Sequence, residues 1–441
     1  MYIFLRNVRL ALRPACLFLQ RFLNDVYAKG AVAFLAGATS VLGFAPFNLY
    51  LVPILTLSLL FWLCLRATSL GQKVFWGWCY GLGLFSFGIY WLFISLHDIG
   101  AMPMLLATLL TALVCALLAF FPALAIWFAC KSRWPLLLAM PLSWAFLEWV
   151  RGHIFTGFPW LNLGYSQVPY SPLAGYFPIL GVYGVVLLVG VLASALCQLL
   201  TANRRKACLL ILVIVITGKL LQGVAWTHPQ GQALRVALVQ GNIPQTLKWQ
   251  PESIQHTLDL YLALISQAQA DLIVLPETAL PVLSSQIPAV WWEQLQAKHS
   301  DILLGLVEEE QGAYFNSMMH IASRSSYRKY HLVPFGEFIP FKTLLGVVYR
   351  NWLHIPLNDL SSGTDKPHPL PIRQQNIAIN ICYEDVFGEE IIRQLPKATL
   401  LVNASNDAWY GQSIAAEQHL QFSQARALET GRMMLRATNT G

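Results

Sequence analysis

Charge is what this 441-residue chain has least of. Only 12% of its residues are charged, about half of the roughly 25% usual in a soluble domain. Acids are scarcest at the front, where residues 1–225 contain only Asp25, Asp98 and Glu148. There is no Gly-rich phosphate loop, no tandem repeat and no Cys/His spacing suited to zinc. The back half is short of thiols: of eight cysteines, only Cys382 lies beyond residue 208. These absences exclude an ordinary cytosolic enzyme, a disordered chain and a disulfide-stapled secreted mini-protein.

What is present is apolar: 56% of residues are hydrophobic and the mean hydropathy is +0.52. The net charge of +7 is unevenly spread. Residues 1–225 carry 14 Lys/Arg against 3 acids, whereas residues 226–441 carry 15 against 19. The basic excess therefore belongs to the apolar half, and a slightly acidic domain follows it, which excludes a nucleic-acid partner. Three parts emerge: a basic segment at 1–29, a membrane domain at 30–225 and a soluble domain at 226–441.

A membrane span needs about 20 mostly apolar residues. Uncharged runs at 30–65 (a hairpin split by a turn at 44–50), 74–96, 101–130 and 176–200, with apolar runs at 134–149, ending at Glu148, and 207–225, with Lys219 near its end, predict about seven transmembrane helices. Trp62, Trp76, Trp78, Trp91 and Trp149 lie near span ends, as an aromatic belt would. Twelve Lys/Arg fall in the N-terminal segment and in the loops after spans two, four and six, while the loops on the other side hold only Arg151. By the positive-inside rule the N-terminus is cytoplasmic. Seven crossings then place residues 226–441 outside, in the periplasm above a Gram-negative inner membrane. The first span lacks a persuasive cleavage site and reads as retained. Residues 1–29 form either a basic amphipathic helix on the inner surface or a solvated basic tail. The uncharged, Gly-, Pro- and aromatic-rich stretch 152–172 reads either as an interfacial or re-entrant segment that admits a lipid chain, or as a plain connecting loop.

In the soluble half, β-like runs at 234–244, 271–281, 301–308, 314–322, 330–335, 376–387 and 398–409 alternate with helical stretches at 251–270, 287–299, 388–395 and 412–430. That order predicts an α/β domain. Cys382 ends one apolar run and is followed by Tyr383, Glu384 and Asp385. A lone thiol there is either a nucleophile or an inert buried side chain. Glu277 and Lys329 stand at two other strand ends, and Glu337 lies eight residues past Lys329. The set is chemically complete for acyl transfer: a carboxylate takes the thiol proton, the thiolate attacks a carbonyl, and an ammonium stabilises the oxyanion.

Six motifs bear a resemblance: VQGNIPQTLKW (239–249), LPETALP (275–281), KYHLVPFGEFIP (329–340), ICYEDVFGE (381–389), SNDAWYG (405–411) and TGFPWLNLGYSQ (156–167). On them the chain resembles the nitrilase (carbon–nitrogen hydrolase) superfamily and, within it, the apolipoprotein N-acyltransferases. The resemblance implies a polytopic α-helical membrane domain plus an extracytoplasmic α/β nitrilase-like domain, an αββα sandwich. It implies Glu277 as general base, Lys329 as oxyanion stabiliser and Cys382 as nucleophile. Glu337 would be an auxiliary acid, Tyr383 and Glu384 would shape and hold the site, and Trp249 would ride a mobile arm over it. It moves the reading of 152–172 toward a functional element beside the active site. The implied reaction is ping-pong: an acyl chain passes from a phospholipid to Cys382, then to the α-amine of a diacylglyceryl-modified N-terminal cysteine of an apolipoprotein. No metal or organic cofactor is implied, and the enzyme would act as a monomer in the lipid bilayer. The family continues past LRATNTG through further strands and a last membrane helix, so the resemblance also implies a C-terminally truncated chain with an incomplete catalytic domain.

The alternative on the same triad is a membrane-tethered amidase, in which water resolves the thioester. A transporter with an accessory domain is disfavoured, because ionisable groups are nearly absent from the spans.

Overall fold

The structure, a computed structural model, describes residues 25–199, 203–339, 359–363 and 368–440. The basic N-terminal segment, up to residue 24, lies outside the described residues.

The front half is a bundle of apolar helices: α1 (Val26–Ser40), α2 (Leu51–Arg66), α3 (Leu70–Gly88), α4 (Trp91–Ile94), α5 (Met104–Leu118), α6 (Phe120–Lys131), α7 (Leu136–His153), α8 (Phe177–Gln198) and α9 (Arg204–Leu221). Its outer surface is apolar: Leu105, Leu109, Leu113 and Leu117 on α5 and Leu209, Leu212 and Ile216 on α9 are all exposed. Helices apolar toward the outside suit a lipid environment. By length and composition three helical runs among the described residues are long enough to cross a membrane: Val26–Gly43, Met104–Lys131 and Pro172–Gln198.

The run at 74–96, expected as one span, is broken instead: Leu70–Gly88 and Trp91–Ile99 meet at 49°. Two features account for the bend. Gly88 has no Cβ, and one built there would lie 2.2 Å from a Leu161 methyl group, so glycine lets the helix pack closely on Leu161. Beyond the bend the Trp91 ring packs 4.8 Å from the Trp160 ring, tilted, and 4.8 Å from the Tyr410 ring, edge to face, and Ser95 donates to the Trp409 carbonyl at 2.7 Å. The kinked end thus reaches the second domain.

That domain has two sheets. One runs β1 (Val236–Leu238), β2 (Leu272–Val274), β3 (Asp301–Glu310), β4 (Ala313–His320), β5 (Ser326–Arg328), the first three parallel and the last two added antiparallel. The other runs β6 (Leu370–Ile372), β7 (Gln375–Ile381), β8 (Leu400–Ser405), β9 (Met434–Thr438), with β7, β8 and β9 parallel. Side chains alternate across a strand, and the packing follows that period. Leu272, Val274 and Leu303 share a core with Ile377, Ile379, Val402 and Ala404 of the facing sheet. Their neighbours Ile273, Leu275, Ile302 and Leu304 pack outward against Leu258, Tyr261 and Ile265 of α11 (Pro251–Gln267) and Trp291 and Leu295 of α12 (Ala289–Gln296), with the short α10 (Gln245–Lys248) preceding α11. On the other sheet Ala378 and Leu401 turn toward Ile391 of α13 (Gly388–Ile391). Helices thus cover both outer faces of a double sheet.

Two expected strands change. Residues 330–335 form no strand; the extended segment is β5, immediately before Lys329. The backbone N–H groups of Tyr330 and His331 donate to the Glu384 carboxylate, at 2.7 and 3.0 Å, rather than to a sheet. The run 376–387 stops at Ile381, because Cys382 turns into the left-handed region at φ +53° and opens a short 3-10 turn, Cys382–Val386.

The last long helix, α14 (Ala415–Thr430), is polar yet buried, with Gln418, His419, Gln421, Ser423 and Arg426 all shielded from solvent. It lies between the second sheet and the bundle, and hydrogen bonds explain its composition. Trp160 Nε1 donates to Gln418 at 2.7 Å, Gln421 donates to the Val168 carbonyl at 3.0 Å, and Glu429 accepts from the Val182 N–H at 2.7 Å. Residues 160–168 are buried beneath this helix. They are fixed from below by the buried pair Glu148–Arg151, 3.6 Å apart: Arg151 donates to the Trp160 carbonyl at 2.7 Å and Glu148 accepts from the Leu163 N–H at 3.1 Å.

Candidate active site

Glu277, Lys329 and Cys382 come from three strand ends and meet under the rim of the sandwich. Glu277 follows β2 on a loop that crosses β3 at Gly305, where an added Cβ would sit 2.0 Å from the Pro276 carbonyl oxygen; only glycine allows this approach. Its Oε2 accepts from the Asn406 N–H at 3.0 Å and its Oε1 from Asn316 Nδ2 at 2.7 Å. Lys329 follows β5, and its Nζ lies 3.3 Å from Glu277 Oε1 and 2.9 Å from the Glu337 carboxylate. Both carboxylates and the ammonium are nearly or wholly buried. Burial alone would strip the lysine of its proton, but Glu277 and Glu337 hold the ammonium well above its ordinary range.

Cys382 begins the turn after β7. A residue with a side chain at φ +53° costs about 1–3 kcal/mol, and such strain concentrates at functional sites. The conformation is held by its own carbonyl oxygen, which accepts from Asn403 Nδ2 at 3.1 Å and faces His419 Nε2 at 3.2 Å. Burial, then the negative charge of Glu277, pushes the thiol well above its ordinary value, while Lys329 pulls the other way. The resting group is therefore the thiol.

Glu384 ties the cysteine turn to the lysine turn. It accepts from the Ile381 N–H at 2.7 Å on one side, and from Tyr330 N–H, His331 N–H and the Tyr327 hydroxyl on the other. Burial moves its carboxyl up to about 7, against those backbone donors. Tyr383 points toward the bundle and donates to the Gly157 carbonyl at 3.0 Å; beside it His331 Nε2 faces the Thr156 carbonyl at 2.7 Å. Residues 156–157 thus touch both turns. Trp249 ends α10 and packs with Val307, Leu332 and Leu360.

Several residues escape a reading of the sequence. Asn316 bridges the two carboxylates, its Nδ2 also 2.9 Å from Glu337 Oε1. Its signal is a polar residue at a buried position in β4. Lys248 is buried and donates to Thr278 Oγ1 at 2.9 Å and to the Glu277 carbonyl at 3.4 Å. Burial brings its ammonium down to about 8. Below Cys382 lies a charged cluster: His419 Nδ1 is 2.8 Å from Asp407 and its Nε2 3.1 Å from Asp385, while Arg436 reaches both carboxylates, at 2.7 and 3.1 Å. Among the described residues no His, Cys, Asp and Glu side chains are grouped to hold a metal ion.

A family model for the N-terminal domain of apolipoprotein N-acyltransferase matches residues 36–196, and one for carbon–nitrogen hydrolase matches residues 235–441. The apolipoprotein N-acyltransferase of Nitrosomonas europaea is 47% identical over 430 residues, covering 94% of this chain and 86% of the relative. The chain belongs to the apolipoprotein N-acyltransferase family. Proteins of the same name from Chromobacterium violaceum, at 40% identity, and Methylococcus capsulatus, at 41%, each match 93% of this chain and cover 82% and 84% of their own length. The acyltransferase family thus joins the two halves described above, an apolar helical bundle and a carbon–nitrogen hydrolase sandwich.

Proposed function

We propose that this chain transfers a fatty acyl group from a phospholipid to the α-amine of a diacylglyceryl-modified N-terminal cysteine of an apolipoprotein. The observation that carries this reading is the meeting of Glu277, Lys329 and Cys382 within a chain that spans most of its named acyltransferase relatives. Glu277 takes the Cys382 proton, and the thiolate sulfur bonds to the ester carbonyl carbon. Lys329 meets the oxyanion. Collapse breaks the ester C–O bond, and the glutamic acid protonates the departing alkoxide, which leaves a lysophospholipid and a thioester. In the second half the acceptor amine attacks that thioester and loses a proton to Glu277. The C–S bond then breaks, and the sulfur recovers the proton. Glu337 keeps the lysine charged and in place. Trp249 and Tyr383 border the site from the α10 side and the bundle side. Trp249 would ride a mobile arm over the pocket.

The lipid-anchored substrates fit the arrangement of charge. Arg66 and Lys131 end α2 and α6 and Arg204 begins α9, whereas the catalytic domain joins the opposite ends. We place the cations in the cytoplasm, about seven spans in an inner membrane, and the catalytic domain in the periplasm. The test is a thioester trap. The full chain, given phosphatidylethanolamine with a labelled acyl chain and no acceptor, should acquire a hydroxylamine-labile label on Cys382. Absence of label on folded protein, or label retained by Cys382→Ala, would sink the reading.

A further inference from the structure

His419 is wholly buried on α14, between four charged or reactive groups from three other elements. The turn after β7 presents Asp385 and the Cys382 carbonyl to its Nε2, at 3.1 and 3.2 Å. The turn after β8 presents Asp407 to its Nδ1, at 2.8 Å. Strand β9 brings Arg436, which bonds the outer oxygens of both carboxylates. Its remaining neighbours are uncharged: the rings of Trp160, Tyr410 and Phe422. Ser423, one turn along α14, also donates to Asp385. With both ring nitrogens protonated, two carboxylates meet two cations and the cluster is neutral. Without the ring proton one negative charge is left over, directly beneath a thiol whose ionisation Asp407 already opposes.

We propose that His419, held as a cation between Asp385 and Asp407, is a positioning residue for Cys382: it pins the carbonyl of the strained turn and cancels carboxylate charge that would oppose the thiolate. This rests on the reading of Cys382 as the nucleophile. The geometry carries it, since Nε2 faces the Cys382 carbonyl and Nδ1 a separate carboxylate. The ring's affinity for its proton agrees. Burial and Arg436 work against the charge, but the two aspartates hold it up at about 9. A like charge set beside an ionisable group shifts it by about a unit or more, and each unit is tenfold in thiolate.

The test is alkylation of Cys382 by iodoacetamide in the full chain in detergent, read peptide by peptide by mass spectrometry. His419→Gln should slow Cys382 alkylation at pH 8 about tenfold or more. Adding Asp407→Asn, which removes one carboxylate together with the lost cation, should bring the rate back to within about threefold of the unaltered chain. A merely structural role predicts that the double variant is as slow as the single one or slower, and that result overturns the proposal. A second arm needs no variant. In the unaltered chain the alkylation rate should rise with pH at a slope of one, flatten near pH 9 as His419 loses its proton, and then resume. A constant slope of one through that range also overturns it. Neither arm uses a phospholipid, so failure here is distinguishable from failure of the acyl-transfer reading.

Discussion

Asn316 donates to Glu277 across 2.7 Å, and the same amide nitrogen reaches Glu337 at 2.9 Å. One neutral donor therefore orients both carboxylates around a single ammonium. Asn316→Asp would replace the shared donor with a third carboxylate beside Glu277 and Glu337, and like charges this close favour protonation of one of the acids. Thioester formation in a single turnover should fall by about a hundredfold or more. Asn316→Ala, which only frees the carboxylates to turn, should cost about tenfold. If the aspartate variant acylates normally, Glu277 does not act as the base in this orientation.

Lys248 pins the residue after Glu277. Thr278 sits at φ +41°, costly for a β-branched residue, and Lys248 bonds its hydroxyl. Lys248→Met keeps the stem and removes the donors. Acylation should slow about tenfold, the equivalent of about 1–2 kcal/mol for one or two hydrogen bonds. An unchanged rate would show that the turn needs no latch from α10.

His419, which faces the Cys382 carbonyl, also makes stability depend on pH. Its folded-state value of about 9 lies above the ordinary 6.5. The stabilisation is therefore complete below about pH 6.5 and is lost as pH rises through about 9. The apparent melting temperature should fall between these limits, and His419→Gln should flatten that fall. A variant whose melting curve keeps the slope of the unaltered chain would assign the loss to other groups.

Arg151 and Glu148 hold the segment under α14 from within the bundle. Removing one partner of a buried pair leaves a stranded charge and costs about 3–5 kcal/mol. Arg151→Met should lower the melting temperature and, through Trp160 and residues 156–157, slow acylation. The double variant with Glu148→Gln should recover part of the stability. Equal stability of the single and double variants would mean that the pair is not coupled.

The sandwich was legible in the sequence where its strands are buried on both faces. Residues 272–274 and 400–402 are continuous apolar runs, and such runs have few alternatives to a strand inside a parallel sheet. The three residues that meet at the site, Glu277, Lys329 and Cys382, were legible because each stands where an apolar run meets polar groups. The turn at Cys382 was not, since a side chain at positive φ leaves no local mark. The span at 74–96 read as one helix because the contacts around its bend, with Leu161, Trp160 and Trp409, are remote in sequence. The charged cluster was hidden for a different reason. Gln418, His419 and Gln421 lie on the helix expected at 412–430 with no local sign of burial, and the position of α14 between two domains buries them.

That position bears on how the enzyme can be handled. A fragment beginning near residue 226 would keep both sheets but lose Trp160, Val168 and Val182, which satisfy Gln418, Gln421 and Glu429. Its α14 would turn those three side chains and Phe422 toward water, and Tyr383 would lose the Gly157 carbonyl. The soluble-looking half is therefore not a detachable module. The bundle also buttresses the cysteine turn, through the Gly157 carbonyl and the Tyr165 hydroxyl, and an enzyme for lipid substrates built this way keeps its second domain at the bilayer.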